Sequence, residues 1–191
     1  MLPVGLAILG VSPKALEAMK TERLPRTFFD FADQIRTNAA GGYPYTPPVG
    51  LIAGLARAVE MLEEEGMEQV FARHHRMAEG VRRAIAAWGL RPCAVSPDLY
   101  SDTVTAVVVP EGRNGTDLVQ LAAKKYGVAF GVGLGEVAGK VFRIGHLGML
   151  TDVLMLAGLA TAEMCMADLG WGVKLGSGVA AAQDYYRATA V

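Results

Sequence analysis

The sequence predicts an α/β protein in which a helical first half is followed by a small α+β sandwich. Before residue 89, apolar residues recur at helical spacing in two long segments. After that point, residues 103–109 form a run of β-branched residues closed by a proline, which is typical of a strand. The order of strand, helix, strand, strand and helix then predicts helices on one face of a mainly antiparallel sheet.

The first half contains four predicted elements. Residues 6–12 are continuously apolar and predict a buried strand, which would need neighbouring strands from a larger sheet. Residues 14–20 follow a Ser-Pro pair that suits the N-cap and first turn of a helix. Residues 28–36 have no clear period and predict a loop or a short helix. Residues 49–64 predict a longer helix. Its apolar face consists of Leu51, Leu55, Val59 and Leu62.

The second half begins with a long helix predicted over residues 67–88. It continues with predicted strands over 103–109, 128–130 and 140–145 and predicted helices over 116–126 and 151–169. These elements divide the chain into four expected parts. The parts are residues 1–66, a connecting helix over 67–89, a small α+β domain over 90–170, and a tail over 171–191 that is rich in glycine and alanine.

The composition excludes several classes of protein. Of the 191 residues, 52% are hydrophobic and 19% charged, so the chain can bury a core in one domain or two small ones. A formal net charge of −1 argues against nucleic acid or an anionic membrane as a partner. Residues 153–162, the most apolar run, are too short for a transmembrane helix, and the N-terminus lacks the basic region of a signal peptide. Cys93 and Cys165 match no metal or redox spacing and predict buried thiols in a reducing, cytoplasmic compartment.

Residues 41–51 form the first candidate binding site. Tyr43, Tyr45 and Thr46 place three hydroxyls on a loop that starts with two glycines and ends in two prolines. Thr46 is a candidate cap for the following helix, with proline in its first turn. A polar loop at a helix N-terminus suits an anion. The same residues also fit a stiff entry into the helix that binds nothing.

Arg143 is the second candidate. It interrupts an otherwise apolar strand, and burying an unpaired guanidinium is costly, so a partner is expected. The planar guanidinium suits a carboxylate held by two hydrogen bonds. That carboxylate could belong to an internal aspartate or glutamate, which is the commoner case, or to a substrate. His146 follows at a glycine-flanked bend and is interpreted as structural.

Two other patterns are given structural interpretations. Residues 131–140 contain a loose G-x-G-x-x-A and a Gly-Lys pair, but a strand is predicted to follow where a nucleotide motif needs a helix, so a loop between strands is preferred. A basic stripe on the long helix is interpreted as a solvated face, since the chain is not basic and the adjacent histidines lack metal-ligand spacing. The stripe comprises Arg73, Arg76 and Arg83, with His74 and His75 beside it.

Together, these segments resemble the C-terminal portion of a class V aminotransferase, a pyridoxal-phosphate-dependent enzyme of fold type I. The resemblance is closest to the serine–glyoxylate and alanine–glyoxylate aminotransferase group and covers residues 2–170. It depends on two motifs, Tyr43-Pro-Tyr-Thr46-Pro-Pro and Val141-Phe-Arg143-Ile-Gly-His-Leu-Gly148. It implies that residues 1–66 end a large cofactor-binding domain and that residues 90–170 form the small C-terminal domain.

The resemblance also implies a cofactor, a substrate and a partner. Tyr43 and Thr46 match residues that contact the phosphate of pyridoxal 5'-phosphate in the neighbouring subunit's active site, which implies a homodimer. Arg143 matches the arginine that grips the carboxylate of the amino-acid or keto-acid substrate. The reaction implied is transfer of an amino group from serine or alanine to glyoxylate.

One departure from the family pattern concerns the lysine that forms the Schiff base. In the family it lies just upstream of the segment matching Leu2-Pro3, and no lysine of this chain occupies that position. We therefore expect no catalytic residue within residues 1–191 and little activity from this chain alone, so that it would act as a fragment or with a complementing N-terminal half. The alternative is a non-catalytic module that binds a carboxylate or mediates dimerisation.

Overall fold

The computed structural model of the chain describes residues 2–190 and contains two compact units, Met1–Glu64 and Glu65–Val191. The first unit contains helix α1 over Pro13–Thr21 and helix α2 over Phe31–Ala39, followed by helix α3 over Val49–Glu65. Side chains cap the two short helices: Ser12 accepts from the backbone of α1 and Asp30 from that of α2. The uncertain segment at 28–36 is therefore a turn followed by a helix.

Two expectations for the first unit are wrong. Residues 6–12 form no strand, since no segment in the described range 2–64 pairs with them and an isolated strand leaves its backbone groups unpaired. Thr46 does not cap α3, because the helix begins at Val49 and the Pro48 carbonyl accepts from the Ile52 amide at 3.0 Å. Pro48 therefore occupies the N-cap, and Thr46 lies two residues before it.

The second unit is a four-stranded antiparallel sheet covered by helices. Helix α4 spans Met67–Ala87, and strands β1 and β2 follow at Arg91–Pro92 and Val104–Val108. Helix α5 covers Gly115–Leu121 and ends in one π-helical turn. Strands β3 and β4 then occupy Gly131–Val132 and Val141–Gly145, and helices α6 and α7 occupy Asp152–Asp168 and Ser177–Ala188.

The sheet order is β1-β2-β4-β3, and every pairing is antiparallel, as predicted. One strand is misplaced in the prediction: β3 lies at 131–132 and not at 128–130, because Gly131 and Val132, and not the apolar run before them, pair with β4. The register separates two faces of the sheet. Val107 opposite Phe142 and Thr105 opposite Ile144 are all buried, and they pack beneath the helices.

The tail that the sequence left unplaced forms α7, which packs along α4. The contact is close because Gly80 on α4 has no side chain: a Cβ there would overlap the ring of Tyr186. The Tyr186 hydroxyl donates to the Met77 carbonyl at 3.0 Å. At the other end of α7, the buried Glu163 carboxylate accepts from backbone amides.

The core of the second unit joins α4, α6 and α7 to the buried face of the sheet. Its largest fully buried side chains include Phe142, Ile85, Leu118, Leu159 and Met166. Cys165 lies in this core, whereas Cys93 is only half-buried, so the prediction of two buried thiols holds for one of them. Among the described residues, no helix has both the length and the apolar character needed to cross a membrane.

Candidate functional site

Arg143 lies on the face of the sheet opposite the core. Strand β4 alternates, so Phe142 and Ile144 are buried beneath the helices while Arg143 is directed to the other face. Its two cross-strand neighbours are small: Ala106 lies opposite on β2 and Gly131 opposite on β3. The guanidinium therefore has room on both sides, and the Nε–H donates to the Val132 carbonyl at 2.9 Å.

No carboxylate within the range 2–190 forms an ion pair with Arg143, so the expected internal aspartate or glutamate is not found. Its Nε bond to a backbone carbonyl is the sole hydrogen bond of this side chain among the described residues. The terminal nitrogens have no partner there, yet they are not buried, so water or a ligand can reach them. A recess of ≈ 150 Å³ adjoins Arg143 and is lined by Tyr100, Ser101 and Thr105 among others. This arrangement leaves the bidentate edge of the guanidinium available to an anion.

His146 follows directly after β4 and has a structural role, as expected. The side chain is fully buried, and both ring nitrogens are engaged. Nδ1 donates to the Asp102 carbonyl at 3.0 Å, and Nε2 accepts from the Thr105 hydroxyl at 2.9 Å, which defines the neutral tautomer. Burial lowers the pKa of His146 to about 4. A neutral imidazole therefore ties the end of β4 to β2.

Gly148 is held by two neighbouring residues of α4. The Arg73 guanidinium donates to its carbonyl at 2.7 Å, and its amide donates to Nε2 of His74 at 3.0 Å. Glu65 fixes Arg73 in turn through two hydrogen bonds of 2.6 and 2.8 Å. Hydrogen bonding to Glu65 raises the pKa of Arg73, so the guanidinium stays charged. The segment that follows Arg143 is thus held through both the carbonyl and the amide of Gly148.

The interpretation of the basic stripe as a solvated face is therefore wrong for part of it. His74 is buried, and Arg76 donates to both oxygens of Asp152 at 2.6 and 2.8 Å. Arg76 also donates to the Thr189 carbonyl, so it connects α4 to the start of α6 and the end of α7. Of the three arginines in the stripe, Arg83 alone is largely exposed to solvent, and its guanidinium lies over the Tyr185 ring. Helical spacing could not reveal these partners, because they lie more than seventy residues away in the chain.

The loop at 41–51 leads from α2 to α3 in the first unit. It leaves α2 by a turn in which the Gly42 amide donates to the Thr37 carbonyl at 2.9 Å, with Gly41 at a φ of 77°. The Tyr45 ring lies 4.8 Å from the Phe28 ring, which fixes that side chain. Tyr43 is half exposed and borders a mainly apolar cleft of ≈ 580 Å³.

The hydroxyls of this loop are free to bind. Tyr43, Tyr45 and Thr46 are exposed, and their hydroxyls form no hydrogen bond with any residue of the described chain. Hydroxyls on a turn-stabilised loop are suitable donors for a phosphate, so the residues present fit the phosphate of the implied cofactor. Tyr43 and Thr46 belong to the first unit and Arg143 to the second.

The remaining motifs hold no functional geometry. The glycine-rich segment after β3 forms a short 3₁₀ turn at Gly135–Val137 and leads into β4, with no helix N-terminus for a nucleotide phosphate. Asn114 caps α5 by accepting from the Thr116 amide at 2.9 Å. Within residues 2–190, no cluster of three His, Cys, Asp or Glu side chains could hold a metal ion.

Comparison with known proteins shows which proteins this chain is similar to. The chain is homologous to the C-terminal portion of class V aminotransferases, the pyridoxal-phosphate-dependent group of fold type I, which confirms the recognition made from the two motifs. No model of a protein family matches the sequence. The evidence consists of individual relatives and solved structures.

The similar proteins carry glyoxylate or pyruvate in their names. The chain is 64% identical to an L-aspartate–glyoxylate aminotransferase of Paracoccus denitrificans over 99% of this chain and 48% of the relative. It is 51% identical to a serine–glyoxylate aminotransferase of Hyphomicrobium methylovorum over 97% of this chain and 46% of the relative. A crystal structure of pyridoxamine–pyruvate aminotransferase from Mesorhizobium loti superposes with a TM-score of 0.83 at 36% identity, covering 95% of this chain and 47% of that one. The chain thus spans about half the length of the relatives it matches.

Proposed function

We propose that this chain provides the substrate-carboxylate and cofactor-phosphate contacts of an aminotransferase that transfers an amino group from a small amino acid, such as serine, alanine or aspartate, to glyoxylate. The observation that carries the proposal is the Arg143 guanidinium. It lies on the open face of the sheet, its Nε is fixed by the Val132 carbonyl, and its terminal nitrogens have no partner among the described residues. The names of the relatives support glyoxylate as the acceptor.

Arg143 would orient the substrate by its carboxylate. The two terminal nitrogens form a planar fork that matches the two oxygens of a carboxylate, so one contact fixes both position and direction. The hydrogen bonds of Gly148 to α4 and of the buried His146 to Thr105 hold the residues that follow Arg143 in place. This limits movement of β4. Pyridoxal phosphate, when bound, would supply the electron sink for amino-group transfer. We assign no catalytic residue to residues 1–191.

The carboxylate contact can be tested by titrating the chain with glyoxylate and following binding by NMR. Arg143→Gln should weaken binding about tenfold or more, because a charge-assisted bidentate contact is lost. Arg91→Gln is the matched control, since Arg91 lies on exposed edge strand β1 of the same sheet and its guanidinium donates to the Pro92 carbonyl at 3.4 Å. Equal effects of the two substitutions would rule out a specific carboxylate site at Arg143.

The second part of the proposal assigns the phosphate of pyridoxal 5'-phosphate to Tyr43 and Thr46, in the active site of a neighbouring subunit of a homodimer. Their hydroxyls support it, because they are exposed and have no hydrogen-bond partner within residues 2–190. The combined variant Tyr43→Phe and Thr46→Val should reduce pyridoxal-phosphate binding in equilibrium dialysis by about tenfold. Tyr45→Phe is the control, because it removes a hydroxyl from the same loop and keeps the contact with Phe28. Loss of binding in the control alone would contradict the assignment.

The alternative function is a non-catalytic carboxylate-binding or dimerisation module. One observation favours it: Arg143 and its recess lie entirely within the second unit, which carries its own core. The two functions differ in their dependence on the cofactor. An aminotransferase role predicts that pyridoxal phosphate binding depends on Tyr43 and Thr46, whereas a module would bind glyoxylate through Arg143 with no affinity for the cofactor.

A further inference from the structure

We propose that Gly131 is a positioning residue for the carboxylate site, because the missing side chain at this position allows the Arg143 guanidinium to adopt its binding orientation. The inference rests on the proposed carboxylate contact of Arg143 and adds a residue that touches no substrate. Gly131 lies on β3, directly across from Arg143 in the antiparallel pairing. Gly131 is thus the neighbour of Arg143 on one adjacent strand, and Ala106 is its neighbour on the other.

The space at Gly131 is already filled by the arginine. A Cβ built there would lie 2.9 Å from Nε of Arg143, 3.0 Å from its Cβ and 3.3 Å from Cζ. Ordinary contacts between such atoms begin at about 3.5 Å, so an alanine and the observed arginine conformation cannot coexist without movement. The backbone of Gly131 has no positive φ, so alanine meets no conformational strain of its own there. The conflict is confined to the arginine.

The strand cannot easily move to relieve this conflict. Strand β3 has two residues, and the second, Val132, pairs with Phe142, which is fully buried in the core. The preceding Phe130 ring lies 6.1 Å from the Phe142 ring and anchors the entry to the strand. The arginine side chain is the softer element, since it projects to the open face. A side chain at 131 should therefore displace the guanidinium. Its contact with Cβ of Arg143, which no rotamer change relieves, requires β3 and β4 to shift by only a few tenths of an ångström.

Displacement would break the bond that sets the direction of the guanidinium. In the observed conformation Nε donates to the Val132 carbonyl, so the remaining bidentate edge is the one formed by the two terminal nitrogens. A guanidinium that lost this bond would rotate among several rotamers and pay ordering entropy on binding. Gly131 would thus act on carboxylate affinity through the preorganisation of Arg143.

The test uses the full chain, with glyoxylate as the probe and glycolaldehyde, which lacks a carboxylate, as the ligand control. Gly131→Ala should weaken glyoxylate binding about tenfold and leave the thermal midpoint within a few degrees. Gly145→Ala is the matched control. It lies on β4, on the same face as Arg143, and a Cβ there meets no atom within 4 Å. A second readout needs no variant: the Arg143 Nε–H should exchange with water more slowly than that of the exposed Arg91.

A double-mutant cycle separates positioning from a general structural effect. If Gly131 acts through Arg143, then Arg143→Lys should cost little further affinity once Gly131 is replaced by alanine, because the oriented fork is already lost. Additive effects, or a Gly131→Ala variant that binds like the wild type, would overturn the inference while leaving Arg143 as the carboxylate contact. If Arg143→Lys and Arg143→Gln both bind glyoxylate normally, the proposed function itself fails. Rapid exchange of the Arg143 Nε–H in the wild-type chain would also overturn the positioning role.

Discussion

At the scale of single residues, His146 shows how burial selects one protonation state. The imidazole donates through Nδ1 and accepts through Nε2, so a second proton on the ring would remove the acceptor of the Thr105 hydroxyl proton and place a charge in the core. Burial accordingly lowers its pKa from 6.5 to about 4. The histidine stabilises the fold only while it is neutral.

The first prediction concerns pH. Because the pKa of His146 is lower in the folded chain than in the unfolded one, its stabilisation is complete above pH 6.5 and is lost as the pH falls from 6.5 towards 4. The free energy of unfolding should decrease by roughly 1–2 kcal/mol between pH 6.5 and pH 5. Urea unfolding at a series of pH values measures this slope.

Two variants identify the source of that slope. His146→Gln should be less stable at pH 7 and should lose the slope between pH 6.5 and 5, whereas His75→Gln, at an exposed position on α4, should retain it. Despite burial, hydrogen bonds from Arg82 and His75 keep the pKa of Asp102 below its usual value, so this neighbouring carboxylate titrates below the window. An unchanged slope in His146→Gln would contradict the assignment.

Individual residues were predictable from sequence where the reason is local. Arg143 could be singled out because a charge in an apolar strand needs a partner, and its position on β4 is as predicted. Its actual partner, the Val132 carbonyl, could not be predicted because it depends on the register of β3 against β4. The roles of Arg73 and His74 were missed for the same reason, since Gly148 is distant in sequence.

At the scale of elements, α7 depends on one buried carboxylate. Glu163 accepts from the Gly176 amide at 2.5 Å and from the Gly178 amide at 2.6 Å, at the N-terminus of the helix. It also accepts from the Trp88 indole at 2.8 Å. A carboxylate thus satisfies helix amides that have no internal partner and complements the positive end of the helix dipole. A helix of 12 residues is marginal by itself in water even when it is rich in alanine, so this contact stabilises α7 and defines where it starts.

The second prediction follows from these contacts. Glu163→Gln keeps the shape of the side chain but replaces one acceptor oxygen by a donor, so a backbone amide of α7 or the Trp88 indole would face another donor. The free energy of unfolding should fall by about 2–3 kcal/mol. Glu111→Gln is the control, because Glu111 is exposed in the second unit and forms no ion pair or side-chain hydrogen bond with the described residues, so its replacement should change the free energy of unfolding little. Equal shifts of the urea midpoint in the two variants would contradict the role of Glu163.

Elements with strong local patterns were predicted best, whereas β1 was not predicted and β3 was misplaced. Strand β2 and helix α6 have strong local patterns, and the structure places both within a residue of the predicted ends. Residues 6–12 carry an equally apolar pattern and form no strand, because a strand also requires a pairing partner that the pattern does not contain. Helix α7 was missed for the converse reason: its stabilising contacts come from other elements.

At the scale of the whole molecule, burial is divided unequally between the two units. No side chain in the range 2–64 is buried, and apolar residues such as Val4, Leu9 and Phe29 are largely exposed there. Every buried residue of the described chain lies between Val70 and Tyr186. Since burial of apolar surface is the main source of stability, the cooperative part of this chain should be the second unit.

The third prediction is that unfolding of the full chain reports the second unit alone. Residues 65–191 should give a heat-capacity change of about 1.5–1.9 kcal/mol/K, whereas cooperative unfolding of all 191 residues would give about 2.3–2.9 kcal/mol/K. Calorimetry measures this quantity directly. Hydrogen exchange supplies a matched comparison, because α3 and α4 are both long helices and only α4 has a buried face. Amides of α4 should be protected up to the global free energy of unfolding and those of α3 far less. A heat-capacity change near the larger value, with equal protection of the two helices, would show that residues 2–64 fold as part of one cooperative body.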